Sequence, residues 1–290
     1  MPFPAPAPRR LVLAAAAAVV IALSGCSASP GPAGTADTHT TSGEPPGSHA
    51  HGLAVDARTG ELFLATHEGL FNVTGFPGAR IGTPNDFMGF TPAAEPGVFY
   101  ASGHPGPDST LPNPMGLLRS SDGGKTWEPL SRQGESDFHA LTTSKSGVLG
   151  FDGTLRASAD GTTWSAADPG FTPFALAGHP AADTVLATTT DGLRRSTDGG
   201  KTWTLNTAAP VIQFAAFASA TDVVGIAPGG KVHTSADAGA TWAPAGQIEG
   251  TVQALTALKA GGPAAVWAAT AEGIVHSSDG GATFSRYGGN

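Results

Sequence analysis

A short pattern that recurs five times constrains the fold of this chain more than any other feature. Each copy contains Ser, Asp, Gly, Thr and an aromatic residue in a fixed order, and the copies occupy residues 120–127, 158–164, 196–203, 235–242 and 277–284. Successive aspartates are 38, 38, 39 and 42 residues apart. A period near 40 residues, with short strand-like segments between turns, is typical of the four-stranded blades of a β-propeller. The sequence therefore predicts an all-β fold built from repeated blades.

The pattern also predicts what its conserved positions do within each copy. Glycine after aspartate supplies turn conformations that other residues resist, and the aspartate side chain accepts hydrogen bonds from backbone N–H groups. The threonine and the aromatic residue then lead into the outer strand, where the ring packs against its own blade or the neighbouring one. The second copy lacks one residue, which predicts a tighter turn. We therefore expect a structural role for the five aspartates, which are Asp122, Asp160, Asp198, Asp237 and Asp279.

The pattern, S-x-D-x-G-x-T-W, resembles the Asp box (BNR repeat) of sialidases, sortilin-type receptors and photosystem assembly propellers. The resemblance covers about residues 49–290. It implies a β-propeller in which each Asp box joins the third and fourth strands of a blade.

A second alignment, of the innermost strands, predicts the number of blades. Six segments align, and they are residues 50–54, 87–90, 138–141, 173–176, 214–217 and 252–255. This predicts a six-bladed β-propeller with four-stranded antiparallel blades, with seven blades as the alternative. The first blade has lost its Asp box near residues 76–83. Because the chain ends at the last outer strand, blades 1 and 6 are expected to meet edge to edge without exchanging a strand.

The N-terminal residues predict secretion and lipid anchoring. Arg9 and Arg10 precede an apolar run over residues 11–23, as in a secretory signal. Leu23-Ser24-Gly25-Cys26 resembles the lipobox of bacterial lipoproteins, which implies cleavage before Cys26 and acylation of its thiol. The predicted division is a signal peptide at 1–25, a lipidated Cys26 with a flexible tether at 26–48, and a propeller at 49–290. The expected location is the extracytoplasmic face of the cell membrane, with the lipid bilayer as a partner through Cys26.

Composition excludes several other classes of protein. Cys26 is the only cysteine, so the chain forms no internal disulfide and has no other thiol for catalysis or zinc. Removing residues 1–25 takes away two arginines and no acid, which leaves 13 basic and 23 acidic residues and a net charge of −10. No basic stripe is present, and we therefore expect no nucleic-acid partner.

Propeller topology predicts a cluster of polar residues at one mouth of the central channel. The inner strands begin at this face, and the loops between second and third strands return to it. Residues two apart on a strand share a face, so two aligned positions are expected to project into the mouth. In blades 1–3 these positions and the nearby loops supply His49, His51, His67, Asp86, Met88, His104, Asp137 and His139, whereas blades 4–6 have no His, Asp or Met there.

Two interpretations of this cluster stay open. Neutral imidazoles, a thioether and carboxylates suit copper or zinc, which would make the mouth a metal site. Alternatively, each histidine hydrogen-bonds a backbone group or water in a polar channel lining. In either case the sequence predicts a binding protein whose ligand at this mouth is a small molecule, a metal ion or a protein partner.

A glycoside hydrolase is the alternative function that the Asp-box resemblance raises. Sialidases need an arginine cluster, a tyrosine nucleophile with a glutamate and an acid/base aspartate. After residue 25 this chain has only Tyr100 and Tyr287, and its arginines lie mostly near Asp boxes. The remaining option is a two-carboxylate glycosidase that uses Asp86 and Asp137, with Glu68 or Glu135.

Overall fold

The computed structural model describes residues 49–288 as six separate four-stranded antiparallel sheets. Six blades are therefore present rather than seven, and the predicted all-β fold is confirmed. The signal peptide at 1–25 and the Cys26 tether at 26–48 lie outside the described residues. Within residues 49–288, no helix is long and apolar enough to cross a membrane.

The four strands of each blade are consecutive in the chain, and we number them β1 to β24. Blades 1–3 contain β1 (Ala50–Val55), β2 (Leu62–Thr66), β3 (Gly69–Asn72), β4 (Ala79–Ile81), β5 (Asp86–Pro92), β6 (Phe99–His104), β7 (Leu117–Ser120), β8 (Glu128–Ser131), β9 (Ala140–Ser144), β10 (Gly147–Phe151), β11 (Leu155–Ser158) and β12 (Ser165–Ala167). Blades 4–6 contain β13 (Ala175–Gly178), β14 (Val185–Thr189), β15 (Gly192–Ser196), β16 (Thr204–Leu205), β17 (Phe214–Phe217), β18 (Val223–Ile226), β19 (Lys231–Ser235), β20 (Ala243–Gln247), β21 (Val252–Leu258), β22 (Ala265–Thr270), β23 (Gly273–Ser277) and β24 (Ser285–Arg286).

The hydrophobic core lies between neighbouring blades. One cluster joins Phe63 and Leu70 of blade 1 to Phe87, Phe99 and Leu118 of blade 2, all of them buried. Burying a side chain of this size stabilises the fold by about 1.5–3 kcal/mol. Each blade has two packed faces, so its inner strands are apolar on both sides and lack a simple polar–apolar alternation.

Blades 1 and 6 close the ring by side-chain packing and not by a shared sheet. The Ala50 N–H donates a hydrogen bond to Gln253 Oε1 at 3.0 Å. Leu64 and Phe71 of blade 1 share a core cluster with Ile274 of blade 6. Because each sheet contains strands of only one blade, the predicted closure without strand exchange is confirmed.

The Asp boxes form the expected turns between the third and fourth strands. Asp198 Oδ1 accepts hydrogen bonds from the N–H groups of Lys201 at 3.0 Å and Thr202 at 2.9 Å, and Oδ2 accepts the Thr202 hydroxyl at 2.7 Å. These hydrogen bonds, the Thr202 hydroxyl first, lower the pKa of Asp198 to about 2. In the shortened copy, Asp160 accepts from residues two and three positions later, Thr162 and Thr163. The prediction of a tighter turn there is confirmed.

Each Asp box also contacts the preceding blade, a role that the sequence pattern does not reveal. Gly200 has φ +85°, and a Cβ at this position would lie 2.1 Å from Leu149 Cδ2 in blade 3. Only glycine therefore fits both the turn and the contact. The equivalent pairs are Gly124 with Leu70, Gly161 with Leu130, Gly239 with Leu186 and Gly281 with Val232.

We expect Asp198→Ala to lower the free energy of unfolding by about 1–3 kcal/mol, because it leaves turn amides without their acceptor. Urea unfolding monitored by tryptophan fluorescence measures this change. Asp108→Ala is the matched control, since Asp108 is an exposed aspartate outside the Asp boxes, and it should change stability by less than about 0.5 kcal/mol. Equal stability of the two variants would contradict the structural role of the boxes.

Candidate functional site

Three inner strands carry a β-bulge at the same position, next to the channel mouth. The register of β1 shifts between Ala50 and Gly52, that of β5 between Phe87 and Gly89, and that of β21 between Val252 and Ala254. A bulge leaves one residue out of the ladder and redirects its side chain. The residues released here are His51, Met88 and Gln253, and all three line a mouth cavity of about 680 Å³.

The first group of polar side chains joins blades 1 and 2. His51 Nε2 lies 2.9 Å from His67 Nε2, and His67 Nδ1 lies 2.9 Å from Asp86 Oδ1. One potential metal-ligating atom from each of these three residues lies within 4.8 Å of those of the other two. The His49 ring is adjacent, with its centroid 5.0 Å from that of His51 and 6.4 Å from that of His67. We call His49, His51, His67 and Asp86 the blade 1 group.

Burial and neighbouring imidazoles keep His51 neutral. Desolvation is the largest cause, followed by His67 and His49, and together they lower the pKa of His51 to about 4 although Asp86 opposes them. At pH 7 the ring therefore carries no charge and has one nitrogen lone pair available. A neutral imidazole is the form that ligates metal ions.

The second group surrounds Asp137, between blades 2 and 3. Asp137 Oδ2 lies 3.1 Å from His104 Nε2 and 3.4 Å from His139 Nε2. His104 Nδ1 is also held, at 2.7 Å from Asn113 Oδ1. Asp137 Oδ1 is buried and has no hydrogen-bond partner among the described residues. The structure thus divides the predicted cluster into two groups.

The remaining predicted residues have different surroundings. Met88 lines the mouth cavity. Glu68 is exposed, and within residues 49–288 no hydrogen bond or ion pair joins its carboxylate to either group. Glu135 pairs with Arg132 at 3.3 Å in the connection between β8 and β9. The two carboxylates that do reach the mouth groups, Asp86 and Asp137, are both bound to imidazoles, and the glycosidase alternative stays a prediction.

Two features of this site were not predicted from the sequence. Asn113 contacts His104 from the β6–β7 loop, and no motif marks that pairing. Phe174, in the connection between β12 and β13, has 61% of its surface exposed and lines the same cavity. The alignment of inner strands does place Phe174 beside the histidine positions, and a large apolar residue there is the signal that could have identified it.

Comparisons with known proteins agree with this architecture. The BNR/Asp-box repeat model matches residues 194–205. The fold is similar to the GH74 enzyme of Niastella koreensis, with 12% identity over 82% of this chain and 54% of that one and a TM-score of 0.50. It is also similar to YCF48 of Cyanidioschyzon merolae (11% identity, 79% and 95% coverage, TM-score 0.51) and to U3-55K (10% identity, 81% of both chains, TM-score 0.53).

These likenesses establish the fold and do not assign an activity. No curated protein matches the sequence. The chain spans about half the length of the GH74 enzyme, and identities of 10–12% carry no site residue from one protein to another. The repeats, the six sheets and the family model agree on one assignment. The chain is a six-bladed β-propeller that carries Asp-box repeats.

Proposed function

We propose that this chain is a membrane-tethered, extracytoplasmic β-propeller that binds a copper or zinc ion at the channel mouth through His51 and His67, with the His49 ring adjacent. The observation that carries the proposal is the 2.9 Å approach of His51 Nε2 to His67 Nε2, with Asp86 behind His67. Anchoring rests on the lipobox resemblance at Cys26.

The spacing of the two nitrogens suits a shared metal ion. Two imidazole nitrogens bound 2.0–2.1 Å from a tetrahedral ion lie about 3.3–3.4 Å apart. The distance between the two Nε2 atoms is 2.9 Å, so a separation of a few tenths of an ångström accommodates the ion. Without metal, His51 Nε2–H would donate an ordinary hydrogen bond to His67 Nε2. To ligate a metal ion through Nε2, His51 would take its other neutral tautomer, in which the proton sits on Nδ1 and the Nε2 lone pair is free.

Asp86 orients His67 for this role. Its Oδ1 accepts a hydrogen bond from His67 Nδ1–H, which leaves the Nε2 lone pair directed toward His51. A carboxylate behind a ligating histidine fixes the tautomer and the ring orientation and makes the ligand more basic. Asp86 therefore acts through His67, and His51 and His67 supply the two ligand nitrogens.

The exposure of the group favours an exchangeable ion with an open coordination position. The His67 side chain is 46% exposed, whereas a structural metal site is closed by four protein ligands. Met88 lines the same cavity, and a thioether near imidazoles favours copper over zinc. This arrangement supports binding of a metal ion that remains accessible from the mouth.

Calorimetric titration of the purified protein with zinc and copper salts at pH 7 tests the metal site. We expect saturable binding at the blade 1 group and its loss in the double variant His51→Ala/His67→Ala. Asp86→Asn should weaken binding by about 10–100-fold, because it removes only the orienting carboxylate. His233→Ala, on β19 and outside the cavity lining, is the matched control and should bind as the unmutated protein does.

Two outcomes would refute this metal site. One is the absence of saturable binding by the unmutated protein at pH 7. The other is undiminished binding by a folded double variant, with folding verified by thermal unfolding.

Anchoring has a separate test. Cys26→Ser should move the protein from the membrane fraction to the soluble extracytoplasmic fraction, because the thiol that would carry the acyl chains is missing. Ser27→Ala is the matched control at the next position and should leave the protein in the membrane fraction. Fractionation of cells followed by immunoblotting measures both, and a membrane-bound Cys26→Ser protein would refute the lipid anchor.

A further inference from the structure

The mouth cavity has two unlike walls. Blades 1–3 contribute His49, His51, Met88 and His139, whereas blades 4 and 5 contribute Phe174 and Ala215. Its volume of about 680 Å³ lies within the range of roughly 300–1,000 Å³ that small-molecule sites occupy. A single bare metal ion fills only a small part of this space.

Phe174 is an exposed aromatic side chain on the wall of the mouth cavity. Its backbone N–H donates a hydrogen bond to the carbonyl of Thr188 at 2.7 Å. Its ring packs edge to face on the Phe214 ring, with the two ring centroids 5.6 Å apart. A single exposed apolar side chain is common on protein surfaces. Phe174 differs because it lies in a concave cavity beside the apolar Leu176 and Phe214, and a concave, largely apolar lining is typical of small-molecule sites.

The cavity has an apolar floor. One residue from each blade lines both this cavity and a second cavity of about 390 Å³ at the opposite end of the channel. These six shared residues form a ring, and they are Leu53, Phe90, Leu141, Leu176, Ala215 and Leu255. A ligand that enters from the histidine side therefore meets hydrocarbon at the bottom of the mouth.

The lining carries no fixed charge. None of its residues is Asp, Glu, Lys or Arg, and the polar groups besides the histidines are Gln213, Thr251 and Gln253. Away from the proposed metal ion, an ionic group in the part of a ligand that packs on this lining would lose its hydration without a counter-charge, which is costly. The composition of the lining thus favours an uncharged ligand body.

We propose that the mouth binds a small uncharged organic molecule with an aromatic body and a nitrogen donor at one end. The aromatic body packs on Phe174 and on the apolar floor, and the donor occupies the open coordination position of the metal ion at the blade 1 group. The donor part of this inference rests on the proposed metal site, whereas the aromatic part depends only on Phe174 and the floor.

Competition between two probes that differ by one phenyl group tests this inference. 4-Phenylimidazole and imidazole share the donor, and the zinc-loaded protein should bind 4-phenylimidazole at least about tenfold more tightly, because only its phenyl group buries apolar surface. Phe174→Ala should remove most of that preference without changing the zinc content. Val211→Ala is the matched control, since Val211 is 63% exposed and does not line the cavity.

The same titrations on metal-free protein separate the two proposals. A phenyl preference that depends on Phe174 should persist there, at lower affinity, because the aromatic wall does not need the ion. If the protein takes up no zinc but shows this preference, the metal site is refuted and the aromatic site stands. Equal affinities of the two probes for unmutated protein, or a preference that Phe174→Ala leaves unchanged, would overturn the aromatic site.

Discussion

The contact between each Asp-box turn and the preceding blade is the interaction on which this architecture depends. The aspartate accepts hydrogen bonds from turn amides, as Asp198 does from Lys201 and Thr202. These hydrogen bonds fix the turn that contains the following glycine. That glycine then lies against an aliphatic side chain of the neighbouring blade, as Gly200 does against Leu149. One repeated motif therefore serves both the hairpin and the interface between blades. Blade 1 lacks an Asp box, and its hydrophobic residues pack directly against those of blade 6.

Because these contacts lie away from the channel mouth, the residues at the beginning of each inner strand can differ between blades. Blades 1–3 have imidazoles and a thioether at these positions, and blade 4 has the exposed Phe174. The bulges at His51, Met88 and Gln253 lie where the first strand of the blade pairs with the second. Repetition specifies the scaffold, and the positions that break the repetition form the candidate site.

The alignment of inner strands predicted six blades, and the Asp-box repeats predicted the turns and the shortened turn at Asp160, because each follows from local sequence. They also placed the histidines of blades 1–3 at one mouth, since position on a strand determines the face. The division into two groups was not predictable, because it depends on loop geometry: Asp137 lies between His104 and His139, and Asn113 reaches His104 from a long loop. Glu135 pairs with Arg132 in the connection between β8 and β9, a contact that the repeat pattern does not specify.

Anomalous diffraction shows most directly whether the blade 1 group binds a metal ion. Crystals of the purified protein soaked in zinc chloride would be measured on both sides of the zinc absorption edge. We expect an anomalous peak about 2.0–2.1 Å from both His51 Nε2 and His67 Nε2. A zinc peak found only at other residues, or no peak at the mouth in crystals soaked to saturation, would contradict metal binding by the blade 1 group.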